Sequence, residues 1–287
     1  HVDIALMRPP SPPFPIFHPI LLHSLLLSNM GSKFNSEQTM EIEGGALDGS
    51  SKSEERTYLC IDLKSFYASV ECADRGLDPF TTNLVVADPT RSANTICLAI
   101  TPALKAQGVK NRCRLGDIPD GIEFTCAMPR MSRYMEVSAN IVGAYQRFVS
   151  ADDMHVYSID ESFIDATPYL RLYGMDAKSF ARMLMNAAFE CAGVTATAGI
   201  GMNLLMAKVA LDVCAKHAPD GIGVLDDDSW KREIWFHRPI TDIWGIGPGI
   251  ARRLERHGVF DLAGICPLPQ KSIMKEFGKN GLFLLDH

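Results

Sequence analysis

The sequence predicts an α/β (α+β) chain with a ferredoxin-like sheet at its centre, and three observations predict it. Short apolar runs of strand-forming residues alternate with segments of helical periodicity. The order of these elements suits a ferredoxin-like sheet. Turn residues fall at the joints, as at Pro89-Thr90-Arg91 and at Gly108.

In chain order, the run from Tyr58 reads as an apolar strand with Asp62 at its end. Phe66 to Glu71 has helical composition, so Asp62 falls near a strand-to-helix junction. Leu84 to Asp88 and Thr95 to Ile100 read as strands on either side of the proline turn. Pro102 to Gln107 suits a helix that Gly108 ends. Ser132 to Ser150 is a longer helix with Met135, Ile141, Val142, Tyr145 and Phe148 as its apolar stripe. Tyr157 to Thr167 reads as a strand pair around Asp160. Lys178 to Cys191 is helical, Val194 to Ile200 is a β-branched strand, and Asn203 to Lys216 is helical again.

A chain of 287 residues can hold two or three small domains with real cores. Hydrophobic content of 47% and charged content of 22% are ordinary for a soluble globular protein. The eight cysteines are dispersed without a C-x-x-C pair, which argues against a disulfide framework or a zinc site and suits a reducing cytoplasm. No apolar run reaches the roughly 18 residues of a membrane helix. The net charge of −6 sits awkwardly with nucleic-acid binding, but residues 229–287 carry nine basic against six acidic side chains. Charge permits DNA binding without arguing for it.

Residues 1–56 differ from the rest. His1 to Pro19 is proline-rich, Ile20 to Leu27 is briefly apolar, and Gly31 to Glu55 is rich in glycine, serine and glutamate. This stretch reads as a disordered or mistranslated extension, with Met30 or Met40 as candidate starts. A secretory signal after Arg8 is the alternative, and the prolines that interrupt the apolar stretch weigh against it.

Chemistry concentrates at Asp160-Glu161, inside Tyr157-Ser158-Ile159-Asp160-Glu161-Ser162-Phe163. Two adjacent carboxylates interrupt a run of strand formers. Held close they repel, and a divalent cation is the usual remedy. A hairpin tip bearing two solvated acids is the plain alternative. Asp62, 98 residues earlier at another strand end, supplies a third carboxylate. Such a set suits oxygen coordination of Mg²⁺ in two-metal phosphoryl transfer.

Asp62-Leu63-Lys64-Ser65-Phe66-Tyr67-Ala68-Ser69-Val70-Glu71, taken with Ser158-Ile159-Asp160-Glu161-Ser162, resembles the Y-family DNA polymerases of UmuC and DinB type. The resemblance runs from about Tyr58 to the end of the chain. It implies a right-hand polymerase with palm at 57–76 and 131–228, fingers at 77–130, and a thumb at 229–287. The family's little-finger domain would follow the thumb, and the chain stops before it. Implied activity is template-directed, translesion addition of dNTPs to primer-template DNA in DNA repair. A sliding clamp and SOS accessory proteins are implied for the full-length enzyme.

By position, the resemblance gives Asp62, Asp160 and Glu161, with the Leu63 carbonyl, to two Mg²⁺ ions. Tyr67 falls at the steric gate that excludes a ribose 2′-hydroxyl, and the Phe66 amide would meet a phosphate. Lys105 and Lys216 would contact the triphosphate, with Lys110 and Arg112 as competitors of Lys105 and a solvated lysine as the rival reading of Lys216. Lys208 reads as a structural or DNA-facing charge. Gly245, Gly247 and Gly249, leading into Arg252, Arg253 and Arg256, resemble the thumb's helix-hairpin-helix, which grips a DNA phosphate. An ordinary Gly-Pro turn is the alternative there.

Three departures bear on this reading. Lys64 stands where DinB-like members carry Asp, and Ala99 and Pro102 replace phosphate-binding Thr and Tyr; all three favour the UmuC-like branch. The runner-up function is a catalytically silent DNA-binding fragment acting through its thumb. A nucleotidyl cyclase on the same palm topology is disfavoured, since it has no primer duplex to grip.

Overall fold

A computed structural model describes residues 56–286. The chain divides into two units, 1–49 and 50–287, and every described residue lies in the second. The reading of residues 1–56 as a disordered or mistranslated extension therefore falls outside the described residues, apart from Arg56.

The central sheet has the strand order β5-β6-β1-β7-β8. Its strands are β1 (Tyr58–Leu63), β5 (Met154–Val156), β6 (Glu161–Asp165), β7 (Ala196–Gly201) and β8 (Ile222–Val224). β1 is antiparallel to both β6 and β7, and only β8 pairs in parallel, with β7. The first four strands with their two long helices give the ferredoxin-like arrangement, and β8 extends it by one edge.

Helix α1 (Phe66–Asp74) follows β1 directly. A smaller sheet comes next, with β2 (Leu84–Val86) between β3 (Ala99–Ile100) and β4 (Thr125–Ala127), and with helix α2 (Pro102–Ala106). It has its own core of Val85, Cys97, Ile100, Leu104, Val109 and Ile118. The expected strand from Thr95 shrinks to two residues because only Ala99 and Ile100 pair with β2, while Ile96 makes an isolated bridge to Arg114.

Helices α3 (Met131–Tyr145) and α5 (Ala177–Ala192) lie together against one face of the large sheet; the short α4 (Thr167–Tyr173) precedes α5. Tyr134, Val137, Ile141 and Tyr145 of α3 meet Phe180, Leu184 and Ala188 of α5 over Leu59, Ile61 and Leu63. Each large apolar side chain buried there contributes about 2 kcal/mol. The stripe on α3 differs from the expected one, since Tyr134 rather than Met135 turns inward, and the helix ends at Tyr145. α5 is bounded by Asp176, whose carboxylate accepts from the Ser179 amide at 2.8 Å, and by Gly193 at φ 67°.

The opposite face is covered by α6 (Leu204–Val209), which widens into a π-helical turn over Ala210–Cys214. Glycines permit this approach: a Cβ on Gly199 would stand 2.0 Å from the Ala207 carbonyl oxygen, and one on Gly201 2.4 Å from the Ala207 nitrogen.

The last segment is helical, with α7 (Asp227–Ser229) running into a π-turn, then α8 (Pro248–Glu255), α9 (Gln270–Phe277) and α10 (Lys279–Asp286). Its core joins Trp230, Ile234, Ile243, Leu254, Ile273 and Phe277. Among the described residues no helix is long and apolar enough to cross a membrane.

Candidate active site

Pairing of β1 with β6 sets Asp62 and Glu161 directly opposite each other. Register partners project from the same face of a sheet. Asp160 closes the hairpin turn one residue earlier, and its carbonyl accepts from the Leu63 amide at 2.9 Å. The hairpin differs from the expected span because its first strand is Met154–Val156, which leaves Tyr157 to Asp160 in the turn. An acid in a turn is free of the strict alternation of a strand, which is how neighbours Asp160 and Glu161 can serve one site.

The electrostatics agree with that geometry. Burial pushes the Asp62 carboxyl up to about 7, and the charges of Asp160 and Glu161 push it the same way. Lys208 partly offsets them. Acids that hinder one another's ionisation, offering oxygen alone, fit a hard divalent cation such as Mg²⁺.

Among the described residues, no three His, Cys, Asp or Glu side chains converge as a metal-holding group. Glu161 and Asp160 are instead engaged by donors of the chain itself. Glu161 Oε1 accepts from Lys208 Nζ at 2.9 Å and from the Cys60 thiol at 3.1 Å. Asp160 Oδ1 accepts from the Ser158 hydroxyl at 2.7 Å. Lys208 therefore does not face outward as a DNA-directed charge: it is 8% exposed and also meets Asp212 at 3.1 Å. Burial opposes its charge, but Glu161 and Asp212 outweigh burial and hold its pKa above the ordinary lysine value. The sequence signal for this role was its helical phase, four residues before Asp212.

Tyr67 emerges from the first turn of α1 beside this acid set. Its ring stacks on Tyr134 at 4.5 Å between centroids and 16° between planes. Burial raises its hydroxyl pKa, Asp160 adds to the rise and Arg112 opposes it, so the ring lies within reach of both charges. Phe66 is buried in the core, and Ser69, whose amide donates to Ser65, closes the turn above it. The first amides of α1, Phe66 among them, have no partner within the helix itself.

Tyr134 was not singled out from the sequence. Its hydroxyl donates to Glu71 Oε1 at 2.7 Å. The Glu71 side chain is fully buried and also accepts from Arg130, at 2.8 and 3.0 Å, and from Arg75. Arg130 and Arg133 each reach Asp74 as well. The platform under Tyr67 is thereby tied to α1 through charge.

Lys105, on α2, responds to the same centre. Burial lowers its pKa, Asp62 pulls it upward and Lys216 pushes it down. Lys105 thus stands within electrostatic range of Asp62, at the end of β1, and Lys216 within range of Lys105. Lys64 Nζ lies 3.6 Å from where a Cβ on Gly221 would be, at the start of β8.

In the last segment, a single 3-10 turn (Ile240–Asp242) rather than a full helix precedes the glycine hairpin. Gly245 takes φ 84° and lies under the Phe283 ring, where a Cβ would stand 2.1 Å from Cζ. Gly247 caps α8, and no heavy atom lies within 4 Å of a Cβ built on it or on Gly249. Arg252 is exposed, and its Nε donates to the Pro248 carbonyl at 3.3 Å. Arg253 instead lies 4.6 Å over the Phe277 ring and donates to the Glu276 carbonyl at 3.0 Å. Arg256 stands 3.7 Å from Glu276. A file of aromatic rings links this segment to the acids: Phe283 meets Trp244 at 5.6 Å, Trp244 meets Tyr157 at 6.3 Å, and Tyr157 meets Phe163 at 5.7 Å.

Residues 61–212 match the model of the impB/mucB/samB family, a span that includes Asp62, Asp160, Glu161 and Lys208. The chain belongs to the impB/mucB/samB family. This is the UmuC/DinB-type family to which the two acidic motifs pointed. Among similar family proteins, UvrX of Bacillus subtilis, named for UV-damage repair, is 35% identical over 81% of this chain and 55% of its own length. A Bacillus subtilis protein named DNA polymerase IV 2 is 33% identical over 79% of this chain and 54% of its own. The chain spans about half the length of these relatives. Among solved structures, an insertion ternary complex of Dbh DNA polymerase aligns with TM-score 0.67 at 23% identity, over 80% of this chain and 66% of that one. That likeness establishes a shared fold for this impB/mucB/samB chain.

Proposed function

We propose that this chain carries the catalytic portion of a translesion DNA polymerase that adds deoxynucleotides to a primer 3′ end. The observation that supports it most is the register of Asp62 opposite Glu161 with Asp160 in the adjoining turn. In this reading the large sheet is the palm, the β2–β4 sheet the fingers, and residues 229–287 the thumb. Asp62, Asp160, Glu161 and the Leu63 carbonyl hold two Mg²⁺ ions. Bound there, the metal supplies Lewis acidity to the primer hydroxyl and offsets charge on the departing pyrophosphate.

The remaining work falls to the chain's own groups. Lys105 and Lys216 attract the triphosphate as point charges, and the Phe66 amide at the start of α1 offers it a hydrogen bond. Tyr67, braced from below by Tyr134, lies where a sugar would rest and blocks a 2′-hydroxyl. Gly247 and Gly249 expose backbone to a DNA phosphate, with Arg252 and Arg256 beside them. In the whole protein, a sliding clamp and SOS accessory proteins belong to the same cytoplasmic reading.

A silent DNA-binding fragment is the second reading, and the ion pair of Lys208 with Glu161 favours it to the extent that this carboxylate is already neutralised. Single-nucleotide primer extension with Mg²⁺ at high protein concentration separates the two. Extension is expected from this chain and none from Asp160→Ala/Glu161→Ala. Equal extension by both would remove the carboxylates from the chemistry.

A further inference from the structure

Lysine is almost never fully buried unless it is paired, and Lys208 is buried beside two acids. Its placement is built by the fold. Asn203 caps α6, its side-chain oxygen accepting from the Met206 amide at 2.8 Å. Gly199 and Gly201 let the Ala207 backbone lie flat on β7. Lys208 follows on that helix, reaching across to β6. From β1 the Cys60 thiol donates to the same Glu161 oxygen. One carboxylate oxygen thus receives an ammonium and a thiol from two different elements.

The geometry points to Lys208 as an internal counter-ion that takes the cation's place at Glu161 and must release it before a divalent ion is held there. This deepens the polymerase reading and rests on its assignment of Glu161 as a metal ligand. A divalent ion arriving alone must displace an ammonium from a buried oxygen, at 2.9 Å in the structure. An ion arriving with a nucleoside triphosphate brings anionic oxygens of its own and relies less on Glu161. The site therefore loads metal weakly by itself and tightly together with nucleotide. Lys208 is a positioning residue in this scheme, since it acts on the metal through Glu161.

The test reads metal binding rather than synthesis. Free Mn²⁺ is followed by electron paramagnetic resonance during titration of the full chain, without DNA or nucleotide, at neutral pH. Lys208→Met should bind Mn²⁺ on the order of tenfold more tightly than the parent, as expected for removing a unit charge beside a ligand. Lys208→Gln, which retains a hydrogen-bond donor without charge, should shift in the same direction and serves if the Met variant does not fold. Lys208→Arg should stay near the parent. Adding a nucleoside triphosphate should narrow the gap between parent and Lys208→Met. Lys208→Met and Lys208→Gln at or below the parent's affinity would overturn the counter-ion, because Lys208 would then be shaping Glu161 for the metal. Asp160→Ala separates the two levels. Parent-like Mn²⁺ binding by that variant would remove the metal reading and the counter-ion with it, whereas weakened binding leaves Lys208 to be judged alone.

Discussion

At the scale of single residues, Tyr67 shows how a side chain becomes a tool through its support. A tyrosine on a helix's first turn would ordinarily rotate among several positions, but stacking on Tyr134 gives this ring a fixed bed. Tyr67→Ala is expected to raise ribonucleotide incorporation at least tenfold, on the order of the 1–3 kcal/mol that a pocket's shape discrimination supplies, with little loss in deoxynucleotide addition. Competition between paired nucleotides in single-turnover extension measures this, and an unchanged sugar preference would end the gate assignment. Asp62, Asp160 and Glu161 stood out in the sequence because acids there end or interrupt strand patterns, whereas Tyr67 was singled out by the family resemblance alone. Tyr134 was not legible, since a tyrosine in an apolar stripe looks the same whether it serves a site or the core, and Lys208 was legible only as a structural or DNA-facing charge, not as the partner of Glu161.

At the scale of elements, α1 and α3 are joined by a charged clamp. Glu71 would be raised by burial alone, yet hydrogen bonds from Arg130, Tyr134 and Arg75 outweigh burial and hold its carboxyl below the ordinary value of 4.5. A depressed carboxyl stabilises the fold above its unfolded pKa, and that contribution is lost as pH falls through the folded value. The parent should therefore lose stability on acidification below about pH 4.5, whereas Glu71→Gln should lose less there. At neutral pH the variant should be about 2 kcal/mol less stable, since it weakens a buried charge network whose arginines are partly exposed. Urea denaturation across pH checks both; equal slopes for parent and variant would mean the clamp is not coupled to the fold. Elements were legible where periodicity was long, as in α5. They were less legible where pairing decides extent. The Thr95–Ile100 run alternates properly, with Cys97 buried between exposed Ile96 and Leu98, yet β2 offers partners only to Ala99 and Ile100. β8 is three residues behind a turn, too short for any period to declare itself.

At the scale of the whole molecule, the thumb reading depends on which arginines are free to meet a phosphate. Arg253 is committed to Phe277 and Glu276 inside the segment, so its loss should first cost stability. Arg252→Ala/Arg256→Ala should weaken primer-template binding and reduce the salt slope by roughly 1 to 2, about 0.9 for each phosphate that is no longer neutralised. Fluorescence anisotropy at several salt concentrations measures this, and an unaltered slope would detach DNA binding from this face. The file of rings from Phe283 through Trp244 to Tyr157 has a consequence for how such binding is felt. Tyr157 opens the turn that ends in Asp160, and its amide is fastened to the Glu161 carbonyl at 2.9 Å. The glycine hairpin and the acidic turn thus lean on one fulcrum, so that in the proposed thumb reading a duplex pulling on the first would apply leverage to the second.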